Sequence, residues 1–484
     1  MLLSTPSFVL FLLAAVFVHR LLPPKFRRGF LLLASAVYYC SFHPAYLLLL
    51  AALVLLCHRL GIAMERAESD KKRSSLCTAG VAAILLLLAL SKFSHLWANA
   101  LLQLVGGGAD LAVLFVPTGI SYYSFSLIGY LVDVKKGKVA AEHDLASLAL
   151  FAGFFPQLLA GPIARTDLLA QWQQPKTPTY TDFVLGAQRF FKGAVYKVIL
   201  ADGIAVLVNG YYAAPASYDG LLAWFVFLAY PLQLYFDFAG YSDMAIGAAR
   251  MLGYTLQENF KAPYLAASFG EFWGRWHIGL SSWLRDYLYF PLGGSRKGEA
   301  RTLLNLMAVF LFSGIWHGTT VGYAVWGALM GLARILERCA EKKYGKREKQ
   351  GLRLHAARCG VYLWWAVTLL FFRSSSFGGV LAVLRAMFSL PAPTTALLQL
   401  LSLAQNGLAE GIPYYLFFFG SLLLALLTAL RFDRAVYSGC MNPLSRCSER
   451  QRMALYMVFG VLIMLFYFLT TSGSSDVSFI YQGY

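Results

Sequence analysis

A histidine inside a long apolar run is the residue in this sequence best suited to chemistry. His317 stands in Phe312-Ser313-Gly314-Ile315-Trp316-His317-Gly318, within the apolar stretch 302–336. Burial disfavours the imidazolium, so an imidazole in that setting is held neutral near pH 7. A neutral imidazole is a competent general base for a hydroxyl. Gly314 and Gly318 would let a neighbouring chain or a substrate approach the backbone closely. The plain alternative is a core histidine bonded to a carbonyl, and for a lone histidine in a membrane helix the two readings are evenly matched.

A second constellation is Glu271-Phe272-Trp273-Gly274-Arg275-Trp276-His277, followed by Ser281, Ser282, Trp283, Arg285, Asp286 and Tyr287. On a helix, Arg275 and His277 point to different faces, while Glu271 and Arg275 have the i,i+4 spacing of an ion pair. The tryptophans suit a membrane interface. By itself the segment reads as an interfacial helix with snorkelling arginines. The functional alternative is a basic, aromatic-lined entrance for a phosphate-bearing donor. In the third constellation, Tyr235–Met244, Asp237 and Asp243 sit in a largely apolar setting. Each needs a partner or must be neutral, and Arg275 or Arg285 is the expected one. A structural ion pair that supports the site is favoured over direct catalysis. No metal is assigned, because His277 and His317 lack a local ligand spacing such as H-x-x-x-H. No G-x-S-x-G elbow, P-loop or dinucleotide fingerprint stands out, which leaves a serine nucleophile with little support.

The elements that position these residues must lie in lipid. Of 484 residues, 58% are hydrophobic and 13% charged, and the mean hydropathy is +0.59. A soluble domain is nearer half apolar and a quarter charged. Runs long enough to span fall near 6–22, 29–43, 44–60, 78–104, 111–132, 193–212, 219–238, 302–336, 355–373, 413–431 and 453–471. The run 302–336 is too long for one crossing and is expected to break near Gly314–Gly318, so about 11 or 12 spans are predicted. The fold class is therefore an all-α polytopic membrane protein. Two segments, 151–163 with Pro156 and Gly161-Pro162, and 237–291, read as re-entrant or half-buried pieces around an interior cavity. The whole of 1–484 is taken as a single membrane domain, with N-terminal helices over 1–110, a motif-bearing core over 111–336 and C-terminal helices over 337–484.

The net charge of +17 does not indicate nucleic acid. The basic residues cluster at 25–28, 59–73, 135–138, 261–301, 334–353 and 431–452, between apolar runs, as the excess of Lys and Arg in cytoplasmic loops requires. Membrane lipid headgroups are then the nearest anionic partner. Lys25, Arg27 and Arg28 follow the first apolar run, whereas a secretory signal places its positive region first. A retained first span with its N-terminus outside is expected. Seven cysteines, an odd number with no C-x-x-C, are expected to act as small buried hydrophobes.

Six stretches together carry a resemblance: 116–134 (VPTGISYYSFSLIGYLVDV), 154–165 (FFPQLLAGPIAR), 235–254 (YFDFAGYSDMAIGAARMLGY), 259–294 (NFKAPYLAASFGEFWGRWHIGLSSWLRDYLYFPLGG), 310–318 (FLFSGIWHG) and the tail 479–484 (FIYQGY). The chain resembles the membrane-bound O-acyltransferase (MBOAT) family, in its AlgI-like polysaccharide O-acetylation branch, with the D-alanyl transfer proteins (DltB-like) as near relatives. It departs from that pattern at Gly274, at Gly279 and in the final Gln482-Gly483-Tyr484.

The resemblance implies a multi-helix protein around a central tunnel or funnel. His317 resembles the family's active-site histidine and His277 the second histidine of the branch. Trp316, Arg275, Arg285, Asp286, Asp237, Asp243 and Tyr241 would then bind the donor or support the site. No tightly bound cofactor is implied. The donor would be acetyl-CoA or another acyl carrier, and the acceptor an exported polysaccharide. That acceptor would be reached through an extracytoplasmic SGNH-type acetyltransferase partner at the bacterial inner membrane. D-alanyl transfer to teichoic acid from a carrier protein, and non-catalytic movement of an acyl carrier, stand as the rival readings.

Overall fold

The structure, a computed structural model, describes residues 1–94, 97, 99, 116–174, 176–215, 218, 220–345, 348–374, 376–389, 398–401 and 412–472. Every regular element among them is helical. Six helices are long and apolar enough to cross a membrane: Pro44–Glu65, Asp70–Lys92, Gly220–Met251, Gly351–Arg373, Leu416–Tyr437 and Glu449–Phe468. The other expected runs also fold as helices where they are described, but they are shorter or more polar. Parts of the expected spans 78–104 and 111–132, and the whole tail 479–484, lie outside the described residues.

The chain packs as two compact units, one built from Met1–Phe190 with Met244–Glu258, the other from Phe191–Asp243 and from Asn259 onward. The first unit contains α1 (Pro6–Leu21), α2 (Pro24–Cys40), α3 (Pro44–Glu65), α4 (Asp70–Lys92), α5 (Ile120–Lys135), α6 (Leu145–Gly153) and the short α7 (Ala170–Gln173). Proline opens α1, α2 and α3, where its missing N–H has no intrahelical partner to lose. The side chains of Thr5, His43 and Ser69 accept from the first-turn amides of α1, α3 and α4. Polar contacts tie α2 and the end of α3 to the loop before α6: Arg28 pairs with Asp144 at 2.6 Å, and His143 Nε2 lies 2.7 Å from Glu65.

The expected break at Pro156 is present. α6 stops at Gly153, and 154–164 is non-helical yet buried throughout. Side chains supply the partners its backbone lacks. Ser35 Oγ accepts from Phe155 N at 3.2 Å, and Ser126 Oγ accepts from Ala164 N at 3.1 Å. Irregular backbone survives at membrane depth only when protein satisfies it in this way.

α8 (Tyr180–Ala194) begins in the first unit and passes into the second after Phe190, where it leads into a π-helical turn, Val195–Ala201, and on into α9 (Asp202–Ala213). All seven residues of the turn are buried. α10 runs unbroken over Gly220–Met251 with Pro231 inside it, so the expected change of structure at Asp237 does not occur. The irregular part of 237–291 begins only after Met251, with the short α11 (Phe269–Trp273) and α12 (Ile278–Leu284) and a π-turn at Arg285–Tyr289. The run 302–336 is two helices, α13 (Glu299–His317) and α14 (Val321–Tyr344), separated at Gly318 as expected. α15 (Gly351–Arg373), α16 (Phe377–Met387), α17 (Ile412–Tyr437) and α18 (Glu449–Ser472) follow. Only Cys57 and Cys77 are buried; Cys339 and Cys359 are exposed and the other three are intermediate, so the buried-hydrophobe role holds for two of the seven.

The π-turn carries a charge into the core. Lys197 Nζ lies 2.7 Å from both Asp237 and Asp202, and Lys192 Nζ lies 2.7 Å from Asp243. The partners of the two aspartates on α10 are thus lysines, not Arg275 or Arg285. Gly240 allows the approach, since a Cβ there would press on the carbonyl of Gly193 and the amide of Lys197. The hydroxyls of Tyr196 and Tyr235 donate to Asp433 at 2.9 and 3.0 Å and fasten α17 to the same polar core. Removing one partner of a buried pair costs about 3–5 kcal/mol, because the remaining charge is left uncompensated. Lys197→Met is therefore expected to lower thermal stability in detergent strongly. The triple variant Lys197→Met/Asp202→Asn/Asp237→Asn should recover most of the loss in the same melting experiment.

Candidate active site

His317 is the last residue of α13, and Gly318 follows it before the chain turns into α14. The two helices cross in very close contact near this end. A Cβ at position 314 would overlap the carbonyl of Tyr323 and sit 3.3 Å from the Cα of Gly327. At the far end of the pair, Arg338 Nε donates to Glu299 at 2.7 Å. His317 is 4% exposed. Its ring meets Trp316 at 4.6 Å between centroids, Phe372 at 5.0 Å and Trp326 at 5.2 Å. An imidazole walled by aromatic rings is cut off from water, which would strengthen any polar contact made to it.

His277 lies just before α12 with a left-handed backbone, φ 42°. A non-glycine residue pays roughly 1–2 kcal/mol for that conformation. Backbone hydrogen bonds to the segment beside it hold the chain there. Ile278 N donates to the carbonyl of Asn259 at 2.9 Å, and Lys261 N donates to the carbonyl of Arg275 at 3.0 Å. The side-chain oxygen of Asn259 accepts from Gly279 N and contacts His277 Nδ1, both at 3.1 Å. Its amide nitrogen donates to Ser242 Oγ on α10 at 3.1 Å. The edge of Phe238, also on α10, packs on the His277 ring at 4.7 Å. His277 is 2% exposed, and its Nε2 is buried with no hydrogen-bond partner among the described residues.

The tertiary structure brings the two histidines onto one indole. Trp316 adjoins His317 at 4.6 Å and His277 at 6.5 Å between ring centroids. Asp237, Tyr241 and Asp243 are buried on α10, with Asp237 and Asp243 held by lysine. Arg275 forms the expected i,i+4 pair with Glu271 at 3.0 Å and stacks over the Tyr437 ring at 4.1 Å, where Arg358 also lies at 5.4 Å. Arg285 pairs with its neighbour Asp286 at 2.9 Å, on a π-turn that has no buried residue. These two therefore stand outside the buried cluster. Among the described residues, no group of three or more His, Cys, Asp or Glu side chains converges as metal ligands would.

Two kinds of supporting residue were missed in the sequence. Lys192 and Lys197 border and enter an apolar run, and the rule that singled out His317 applies equally to a lysine there. Asn259 gave no signal, because it is local neither to His277 nor to Ser242 in the chain.

The family model for membrane-bound O-acyltransferases matches residues 136–372, which include both histidines. Among curated proteins, the chain is 37% identical over 393 residues to the probable alginate O-acetylase AlgI of Pseudomonas aeruginosa, a match covering 78% of this chain and 74% of that protein. It is 29% identical over 426 residues to the peptidoglycan O-acetyltransferase of Helicobacter pylori, covering 81% and 80%. A shorter match, 31% over 226 residues, links it to the teichoic acid D-alanyltransferase of Bacillus subtilis, covering 43% and 55%.

Gly314→Ala is expected to force α13 and α14 apart and to cost about 1–3 kcal/mol, as overpacking does. Because the displaced helix end carries His317, activity should fall with stability. Gly360→Ala on α15, where a Cβ meets nothing within 4 Å, should be neutral or slightly stabilising. Thermal melts of the two variants side by side check both statements.

Proposed function

The chain belongs to the membrane-bound O-acyltransferase family, and from that premise we propose that it passes an acetyl group from a cytoplasmic thioester to hydroxyls of an exported polysaccharide. The observation that carries the reading is the pair of buried imidazoles on one aromatic cluster around Trp316. The relatives named for O-acetylation of alginate and of peptidoglycan align over about four-fifths of the chain, which favours acetyl as the group moved. D-alanyl transfer is the weaker reading, since the relative named for it aligns over 43% of the chain.

In the proposed reaction, the acceptor hydroxyl oxygen attacks the thioester carbonyl carbon while His317 takes the hydroxyl proton. The tetrahedral intermediate collapses, the C–S bond breaks, and the leaving thiolate receives the proton as a thiol. The ester is the product, and His317 returns to its neutral form. Exclusion of water by Trp316, Trp326 and Phe372 limits hydrolysis of the thioester. Arg275, paired with Glu271 and stacked on Tyr437, offers a cation for a phosphate-bearing donor such as acetyl-CoA. An extracytoplasmic SGNH-type partner at the bacterial inner membrane would deliver the group to the glycan.

The test compares wild type with His317→Ala at equal membrane insertion, by the O-acetyl content of exported glycan. The expected outcome is a loss of at least about a hundredfold with glycan synthesis intact. Unchanged acetylation would remove His317 from the reaction and bring the D-alanyl and carrier-transport readings forward.

A further inference from the structure

Asn259 does more than cap a helix. Its side-chain oxygen is identified by chemistry alone, because the backbone N–H of Gly279, 3.1 Å away, can only donate. The same oxygen faces His277 Nδ1 at 3.1 Å. An oxygen that accepts from one side can be approached from the other only by a second donor, so Nδ1 must carry the proton. The amide nitrogen of Asn259, the remaining end, donates to Ser242 Oγ, a buried hydroxyl on α10. The amide therefore cannot rotate without breaking three bonds at once.

A neutral imidazole has one N–H and one lone pair. With the proton held on Nδ1, the lone pair of His277 is at Nε2, the atom that is buried and lacks a hydrogen-bond partner among the described residues. Such an atom loses hydration with no return unless a ligand supplies the donor. The strained backbone at His277 agrees, since conformations of this kind persist where the surroundings over-determine them, and they cluster at functional sites.

We propose that Asn259 is a positioning residue that locks His277 as the Nδ1–H tautomer, so that Nε2 accepts a hydrogen bond from the acyl-accepting hydroxyl. This rests on the acyl-transfer reading above and refines it. In the locked tautomer Nε2 has no proton to give, so neutral His277 holds the hydroxyl and does not stabilise the oxyanion of the intermediate. His317 is left to take the proton.

The experiment combines a tautomer readout with an activity readout. The detergent-solubilised full chain is labelled with 15N-histidine, the His277 signals are assigned by their absence in His277→Gln, and the protonated nitrogen is read from the 15N shifts and long-range couplings. The same variants are expressed in cells for the O-acetyl content of exported glycan. Wild type is expected to show Nδ1–H. Asn259→Ala should lose that preference and lower O-acetylation by at least about tenfold. Asn259→Asp keeps acceptors for both Gly279 N and His277 Nδ1, and should restore the tautomer and most of the acetylation; this variant also guards against simple misfolding of Asn259→Ala. A wild-type His277 protonated on Nε2, or a tautomer unchanged in Asn259→Ala, overturns the proposal. If the tautomer behaves as expected but His277→Gln acetylates normally, the lock stands and the use of Nε2 in acyl transfer falls. A glycan without O-acetyl groups in wild type would sink the acetylation reading alone, and the tautomer measurement would still judge Asn259.

Discussion

The pairing of Lys197 with Asp237 and Asp202, together with Lys192 and Asp243, is the interaction on which the unit that holds His277 and His317 depends. Charges withdrawn from water are tolerable only when paired and further hydrogen-bonded. The pairs therefore admit few alternative placements of α10 against the π-turn. With α10 fixed in rotation and height, Phe238 and Ser242 are fixed as well. Phe238 packs on the ring of His277, and Ser242 anchors the amide of Asn259 that holds the other edge of that ring. The order of dependence runs from buried charge, to helix register, to the orientation of one imidazole.

The second histidine is placed by a different means. Backbone proximity sets the helix end that carries His317. Gly314 and Gly327 let α13 and α14 approach, and Trp326 of α14 with Phe372 of α15 closes around the helix end. In lipid, where apolar contact alone gives helices little reason to associate, small residues at the crossing supply the packing that holds them. Trp316, next to His317 in the chain, then reaches the His277 ring. A polar mechanism on α10 and a steric one on α13–α14 thus converge on the same indole.

The two irregular segments use one solution to one problem. Both 154–164 and the stretch from Asn259 to His277 leave backbone amides without helical partners. In the first, serine hydroxyls and carbonyls accept from them; in the second, carbonyls and the side chains of Ser268, Glu271 and Glu337 do so, and Asn259 accepts from Gly279 N just beyond. An asparagine suits the second place because its amide has both a donor and an acceptor end, and here the two ends face α10 and α12.

Much of this protein was legible in its sequence, because lipid makes hydropathy a direct readout of structure. The apolar runs became helices where they are described, the break in 302–336 fell at Gly318, and the Glu271–Arg275 spacing gave its ion pair. His317 stood out because a polar residue in an apolar run is costly and therefore conspicuous, and His277 stood out through the resemblance its segment carries. The unbroken course of α10 past Asp237 was not legible: dense polar residues looked like irregular structure, and only the lysines on a neighbouring element show why a helix can carry them. Nor could the sequence pair Asp237 with Lys197 over Arg275, seat Trp316 against both imidazoles, or place Asn259 at Nδ1 of His277. Those facts depend on distances between residues far apart in the chain. Local pattern fixes which segments are helical and which residues are costly to bury, but only packing decides which of them meet.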